Sequence, residues 1–379
     1  MPSFSSEERG LLHESLETFF TQRYGFERWR ERARSPERTF ERDMWRSYAA
    51  LGWLGVALPE AVGGAGGGLT ELAIVMAASG NHIVLEPLLG TIVLGAGAIE
   101  LAGSQSQQET LLPQIAGGER LFAFCHSEPD AGYERDWVQS VARSTAQGYV
   151  LDANKSFALG AHGADMLIVS ARLDTQTGPV GLFLVPRDAT GISLNTAAAL
   201  DGRLGATVRA SGVHLPVSAR LGDDDGDRLG IIDRLLDRGA IAVCAEACGA
   251  MVAATQATVD YLKMRQQFGQ PLSKFQVLQH RLVDMSLAGE EARAIVHMAL
   301  EALDSSAPDA QRAVWLAKVQ TARSARFVGT QSLQLHGGMG MTDELAIGHL
   351  YKRLSLCETL FGDSDWYLSR LGTSAAQAA

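Results

Sequence analysis

Two short stretches in the last third of the chain gather residue types that can meet a charged ligand. The first reads Arg265-Gln266-Gln267-Phe268-Gly269-Gln270-Pro271-Leu272. Its arginine closes a long helical run, where the helix dipole favours a cation even with nothing to bind. Phe268 suits either a core position or an exposed aromatic platform. The second stretch, Gln334-Leu335-His336-Gly337-Gly338-Met339-Gly340, carries glycines that let backbone N–H groups approach a charged group, and that alone would form a helix C-cap. Other reactive groups point to no site by spacing. Cys244 and Cys248 lie one helical turn apart without the histidines of a metal site, so they read as buried thiols, and no metal is expected. Gly222-Asp223-Asp224-Asp225-Gly226-Asp227 lacks the closing glutamate of a calcium loop and reads as a solvated linker.

The elements that must position these residues fall into three regions. Residues 1–119 read as helices. Ser5 and Glu8 form a capping box before Leu11, Leu12, Leu16 and Phe19; further helices cover Phe40 to Leu51, Thr70 to Gly80, Leu89 to Ala102 and Gln105 to Ile115. Residues 120–226 change character: short apolar runs such as Leu121–Cys125, Met166–Ser170 and Val180–Val185 alternate with turn residues, as in an antiparallel barrel or sandwich. Residues 227–379 return to helix, with an alanine-rich run from Ala240 to Met264, a stripe of Phe275, Leu278, Leu282 and Met285, and a third helix from about Pro308 to Leu335. Helices, then strands, then helices is an α+β order, unlike the alternation of a doubly wound sheet.

A formal charge of −10 gives no basic footprint for nucleic acid, so an anionic ligand needs a local basic pocket. The opening residues show no signal peptide, and no apolar stretch approaches the roughly 20 residues of a membrane span. A cytoplasmic protein with reduced thiols and no membrane contact is the expectation.

Four segments, in order, are similar to motifs of the acyl-CoA dehydrogenase family: Gly52-Trp53-Leu54-Gly55 through Pro59-Glu60-Ala61-Val62-Gly63-Gly64; Phe124-Cys125-His126-Ser127-Glu128-Pro129; the Arg265 stretch with Phe275-Gln276, Gln279-His280 and Asp284-Met285; and Gln334 through Glu344. The resemblance implies an N-terminal α-helical domain, a middle antiparallel β-domain and a C-terminal four-helix bundle. It also implies FAD, an acyl-CoA substrate dehydrogenated across Cα–Cβ, an electron-accepting flavoprotein and a tetrameric assembly. By resemblance, Arg265 reaches the FAD pyrophosphate of a neighbouring subunit, Phe268 packs on its adenosine half, and Gln334, Gly337 and Gly338 form the loop approaching it. Ser127 keeps a hydroxyl where the family contacts the flavin ring.

Departures from the family cluster on one side. Its catalytic glutamate precedes a Gly-Thr pair near the C-terminus; counting from Tyr351-Lys352-Arg353 puts Phe361 there. The alternative glutamate site, on the helix leading to Arg265, falls on Gly239. Tyr133 stands where a serine binds pyrophosphate, and Phe157-Ala158-Leu159 replaces Trp-Ile-Thr beside the flavin. Glu246 and Asp363 are the remaining candidate bases. The pattern is that of a subunit completing a partner's FAD site in a heterotetramer with a paralogous chain. The alternatives are a self-sufficient homo-oligomer using Glu246 or Asp363, a flavin monooxygenase or oxidase on the same fold, and a non-catalytic scaffold subunit.

Overall fold

The computed structural model describes residues 4–35 and 41–378, so the expected helix start at Phe40 lies outside the described residues. In chain order the helices are α1 (Ser6–Arg23), α2 (Phe26–Arg34), α3 (Arg42–Ala50), α4 (Leu69–Asn81), α5 (Ala96–Ala102) and α6 (Gln105–Ala116). Seven strands follow: β1 (Phe122–Cys125), β2 (Val141–Thr145), β3 (Gly148–Leu159), β4 (Met166–Leu173), β5 (Val180–Pro186), β6 (Ile192–Ala198) and β7 (Leu204–Pro216). Then come α7 (Leu229–Met264), the ribbon β8 (Gln266–Gln267) and β9 (Gln270–Pro271), α8 (Gln276–Asp304), α9 (Ala310–His336), α10 (Ala346–Thr359) and α11 (Ser364–Ala378).

The described chain packs as two compact units. One holds Ser35–Gly68 and Leu85–Gly239; the other holds Phe4–Arg34, Leu69–Val84 and the chain from Ala240 onward.

In the first unit the sheet runs β1-β4-β2-β3-β7-β6, with β5 paired to β4. Pairings are antiparallel except that β1 and β2 each run parallel to β4. Leu151, Leu167, Val169, Phe183, Val185, Val208 and Val213 fill its interior, each fully buried. Before β1 the chain winds as a π-helix over Leu89–Gly95, where the sequence pattern read as ordinary helix. Gly95 lets the end of this turn pack closely on β1: a Cβ there would stand 2.7 Å from the Cβ of Phe122.

In the second unit the Ser5–Glu8 capping box forms as expected, with Glu8 N donating to Ser5 Oγ (3.2 Å) and Ser5 N to the Glu8 carboxylate (2.7 Å). The buried face of α1 is Leu16 and Phe20, while Leu11 is exposed. The first turn of α4 donates from Leu69 N (3.0 Å) and Thr70 N (3.2 Å) to the Asp304 carboxylate at the end of α8, satisfying two orphan helix donors. Helices α8, α10 and α11 each pack against α9. Against the expectation of no span-length apolar stretch, α7 is long and apolar enough to cross a membrane by length and composition; 67% of that window is buried, as in a core helix.

Candidate functional site

The ribbon after α7 presents Phe268 to solvent. Gln266 pairs with Pro271 and Gln267 with Gln270, leaving Phe268-Gly269 as a two-residue turn. Both turn residues have positive φ, 55° and 77°, the geometry of a type I′ turn that normally selects Asn or Gly first. A phenylalanine held left-handed costs about 1 kcal/mol or more, and one that is also 90% exposed gains nothing from a core. Its ring meets only the edge of Phe275, at 6.2 Å between centroids. Arg265 lies exposed at the base of the ribbon, its carbonyl accepting from Leu272 N at 2.8 Å. Its guanidinium makes no hydrogen bond or ion pair with any described residue.

The ends of α7 and α9 meet through one aromatic stack, which the sequence reading did not single out. The rings of Tyr261 and His336 lie 4.4 Å apart at 25°. His336 Nδ1 lies 2.8 Å from the Ser332 carbonyl, which fixes the proton on that nitrogen. Burial holds this imidazole below its usual pKa, so the ring is neutral at physiological pH. Immediately beyond, Gly337 (φ 58°) caps α9, and Cβ atoms added at Gly337 or Gly338 would meet nothing within 4 Å. Gln334 is exposed on the last turn of α9. The second unit thus carries Arg265, Phe268, Gln334, Gly337 and Gly338 at adjoining helix ends. An unpaired guanidinium, a bare aromatic ring and open glycine backbone fit the adenosine diphosphate half of a dinucleotide.

Ser127 belongs to the first unit. It is exposed, and Ser156 N donates to its carbonyl at 2.8 Å. Its neighbours are clamped by the fully buried Lys155, whose Nζ donates to His126 O (3.2 Å), the Glu128 carboxylate (2.6 Å) and Ser170 Oγ (3.0 Å). His126 Nδ1 accepts from Ser170 Oγ at 2.9 Å, and its Nε2 donates to Arg135 O at 3.0 Å. Burial, reinforced by the nearby ammonium, drives His126 down to about 3. Burial also lowers Lys155 to about 8 against the pull of Glu128. For Glu128, burial alone would raise the carboxyl, but Lys155 with donors from Ser140 and Gln139 holds it below its usual value. Phe157 is 40% exposed on the same strand as Lys155.

Neither candidate base stands ready. Glu246 and Arg353 are both fully buried and paired at 2.5 Å, with Arg353 also donating to Val84 O at 2.9 Å. Asp363 accepts from Trp366 N at 2.9 Å and so caps α11. Phe361 adopts a left-handed conformation (φ 64°), its carbonyl accepting from the Tyr367 hydroxyl at 2.9 Å. Gly239 is buried within α7. All four cysteines are free and buried, and no cluster able to hold a metal occurs among the described residues.

A leading helical segment, a sheet-bearing middle and a closing helical bundle are the arrangement of the flavin-dependent acyl-thioester dehydrogenase class. Family models for the acyl-CoA dehydrogenase N-terminal, middle and C-terminal domains match residues 6–119, 123–211 and 229–375. The chain belongs to the acyl-CoA dehydrogenase family, whose members are oxidoreductases acting on CH–CH bonds. Acyl-CoA dehydrogenase FadE12 of Mycobacterium tuberculosis is 30% identical over 354 residues, covering 90% of this chain and 89% of that protein. The acryloyl-CoA reductase (NADH) of Anaerotignum propionicum is 29% identical over 337 residues, 87% of this chain and 85% of that one. Among solved structures, a variant of the Tcur3481-Tcur3483 steroid ACAD superposes with a TM-score of 0.88 at 30% identity, covering 98% of both chains. The ChsE4-ChsE5 complex from Mycobacterium tuberculosis gives a TM-score of 0.88 at 24% identity over 99% of each chain, a likeness of fold.

Proposed function

We propose that this chain is the subunit of a heteromeric acyl-CoA dehydrogenase that completes the FAD site of a paralogous partner and brings no catalytic glutamate of its own. The observation that carries the reading is the contrast within the chain. Groups that suit a cofactor from outside, Arg265, Phe268, Gln334, Gly337 and Gly338, are exposed and uncommitted. Both positions for a base hold Phe361 and Gly239, and the remaining carboxylates are engaged elsewhere. The similar Tcur3481-Tcur3483 steroid ACAD, at 30% identity, is named for a pair of proteins, which supports partnership. The substrate class is an acyl-CoA thioester, the product its α,β-unsaturated form, and the electron acceptor a second flavoprotein. Four reduced thiols suit the cytoplasm.

FAD, when bound, supplies the hydride acceptor for the Cβ hydrogen. In this chain Arg265 would hold its pyrophosphate through a charge-assisted fork, Phe268 would cover the adenosine, and the Gly337-Gly338 backbone would allow close approach. Ser127 would offer one hydroxyl on the ring side. Proton removal from Cα falls to the partner's carboxylate, since the Phe361 side chain cannot accept a proton and excludes water from that position. The direct test is Arg265→Ala in the assembled complex. Loss of a charge-assisted pair should cost about 1.5–3 kcal/mol of FAD binding. That lowers flavin content per protomer while circular dichroism stays unchanged; full flavin occupancy in the variant complex refutes the assignment.

A further inference from the structure

The first unit holds a cavity of about 460 Å³ that the cofactor reading leaves unused. It is bounded by the segment that follows β1, the approach to β2 and the middle of β3. Glu128, Asp130, Trp137, Gln139, Asp152 and Asn154 line it. Ala153 and Ala210, paired across β3 and β7, also border it and are too small to fill it. Ser127, Tyr133, Phe157 and Leu159, the positions compared with flavin contacts, do not line it.

Three carboxylates and no cationic side chain line this cavity. Two of the three already have cationic partners: Glu128 meets Lys155 at 2.6 Å, and Asp152 meets Arg143 at 2.6 Å. The Glu128 carboxylate also accepts from Gln139 N (2.7 Å), Ser140 N (3.1 Å) and Ser140 Oγ (2.7 Å), so that wall is fixed before any ligand arrives. Asp130 differs. It is exposed on left-handed backbone (φ 67°), and its carboxylate makes no hydrogen bond or ion pair with any described residue. The side-chain amides of Gln139 and Asn154 are equally uncommitted. Trp137 is 44% exposed and makes neither a hydrogen bond nor a ring contact with a described residue.

An indole face and a carboxylate both attract a cation, and amide oxygens accept from one. We propose that this cavity binds a free organic amine, a protonated primary ammonium carried on a short apolar chain. The three N–H donors of such a group match the three uncommitted acceptors Asp130, Gln139 and Asn154, and its chain has the bare Trp137 ring to lie against. Anions are disfavoured by the lining carboxylates. The volume lies in the range of small-molecule sites and exceeds the tip of one lysine side chain, which favours a free amine over a side chain of a docked protein. The inference is independent of the FAD reading, since no residue assigned to FAD takes part.

Calorimetric titration of the full chain with pentylammonium chloride, at pH 7 and about 0.15 M salt, tests it. Saturable one-to-one binding is expected, with pentanol, the same chain without the charge, at least about tenfold weaker. Trp137→Leu and Asp130→Asn should each weaken the amine about three- to fivefold. Both positions are exposed, so unchanged circular dichroism is expected, and the comparison with pentanol needs no variant at all. Diffuse attraction to a chain of charge −10 would ignore both substitutions, and an affinity indifferent to them overturns the proposal. Equal binding of amine and alcohol, or binding that never saturates, does the same. Tighter binding of Nα-acetyl-lysine amide than of pentylammonium would make a protein side chain the occupant and overturn the free-amine assignment. None of these results touches the flavin content of Arg265→Ala, which tests the cofactor assignment separately.

Discussion

Glu246 and Arg353 share complete burial, and that decides what either can do. A carboxylate taken from water is tolerated only with a partner, and removing one partner strands the other charge at a cost of about 3–5 kcal/mol. Glu246→Gln is therefore expected to lower the melting temperature markedly while leaving turnover of the assembled complex within about tenfold, a barrier change under roughly 1.4 kcal/mol. A variant of wild-type stability that has lost a thousandfold in turnover would make Glu246 the base after all. Little of this was legible in sequence. Helical spacing set Glu246 on the same side of α7 as Gly239, but its partner lies 107 residues away, and no local pattern reports such a contact. Arg265 and Phe268 were legible because their setting is local: a helix end, a tight ribbon and an adjacent glycine.

At the scale of elements, legibility followed apolar periodicity. Helices α4, α6 and α9 emerged near their true limits because each repeats buried groups every three or four residues, while the stripe from Phe275 to Met285 marked only the first third of α8. Helix α2 escaped notice, since Phe26–Arg34 is crowded with arginine and glutamate and buries only Trp29. The π-helical winding of Leu89–Gly95 was equally hidden, because its apolar run reads the same in an ordinary helix. The strap from β1 into Glu128 depends on Lys155 in β3, and its pH response follows from burial. Below about pH 8 Lys155 is protonated in both folded and unfolded chains, and the full cost of burying the ammonium is present. Between about 8 and the ordinary lysine value of 10.5 the unfolded chain binds the extra proton, so stability rises with pH. Chemical denaturation from pH 7 to 10 should show wild type gaining on Lys155→Met across that window. A constant difference between the two would place the lysine's ionisation elsewhere.

For the molecule as a whole, the proposed division between exposed cofactor groups and an absent base makes a demand on activity. The purified chain should reduce flavin with acyl-CoA about 10²–10⁴ times more slowly than the assembled complex, the usual loss for a missing general base. Phe361→Glu in the isolated chain should not restore it, because Tyr133 and Leu159 also depart from the flavin-ring pattern. Anaerobic stopped-flow bleaching of the chain alone, at the rate of the complex, would refute this. The buried thiols offer a separate use. Cys125 belongs to the first compact unit, and Cys244, Cys248 and Cys357 to the second. Burial pushes Cys125 up to about 12 and raises Cys244 and Cys248 as well, so an alkylating reagent can reach them as thiolates only after local opening. The native protein therefore carries its own clocks, one in the first unit and three in the second, readable by pulsed alkylation and mass spectrometry without any introduced label. Glu246→Gln should quicken the three clocks of the second unit together and leave Cys125 at its own pace; acceleration of all four alike would mean that the units open as one.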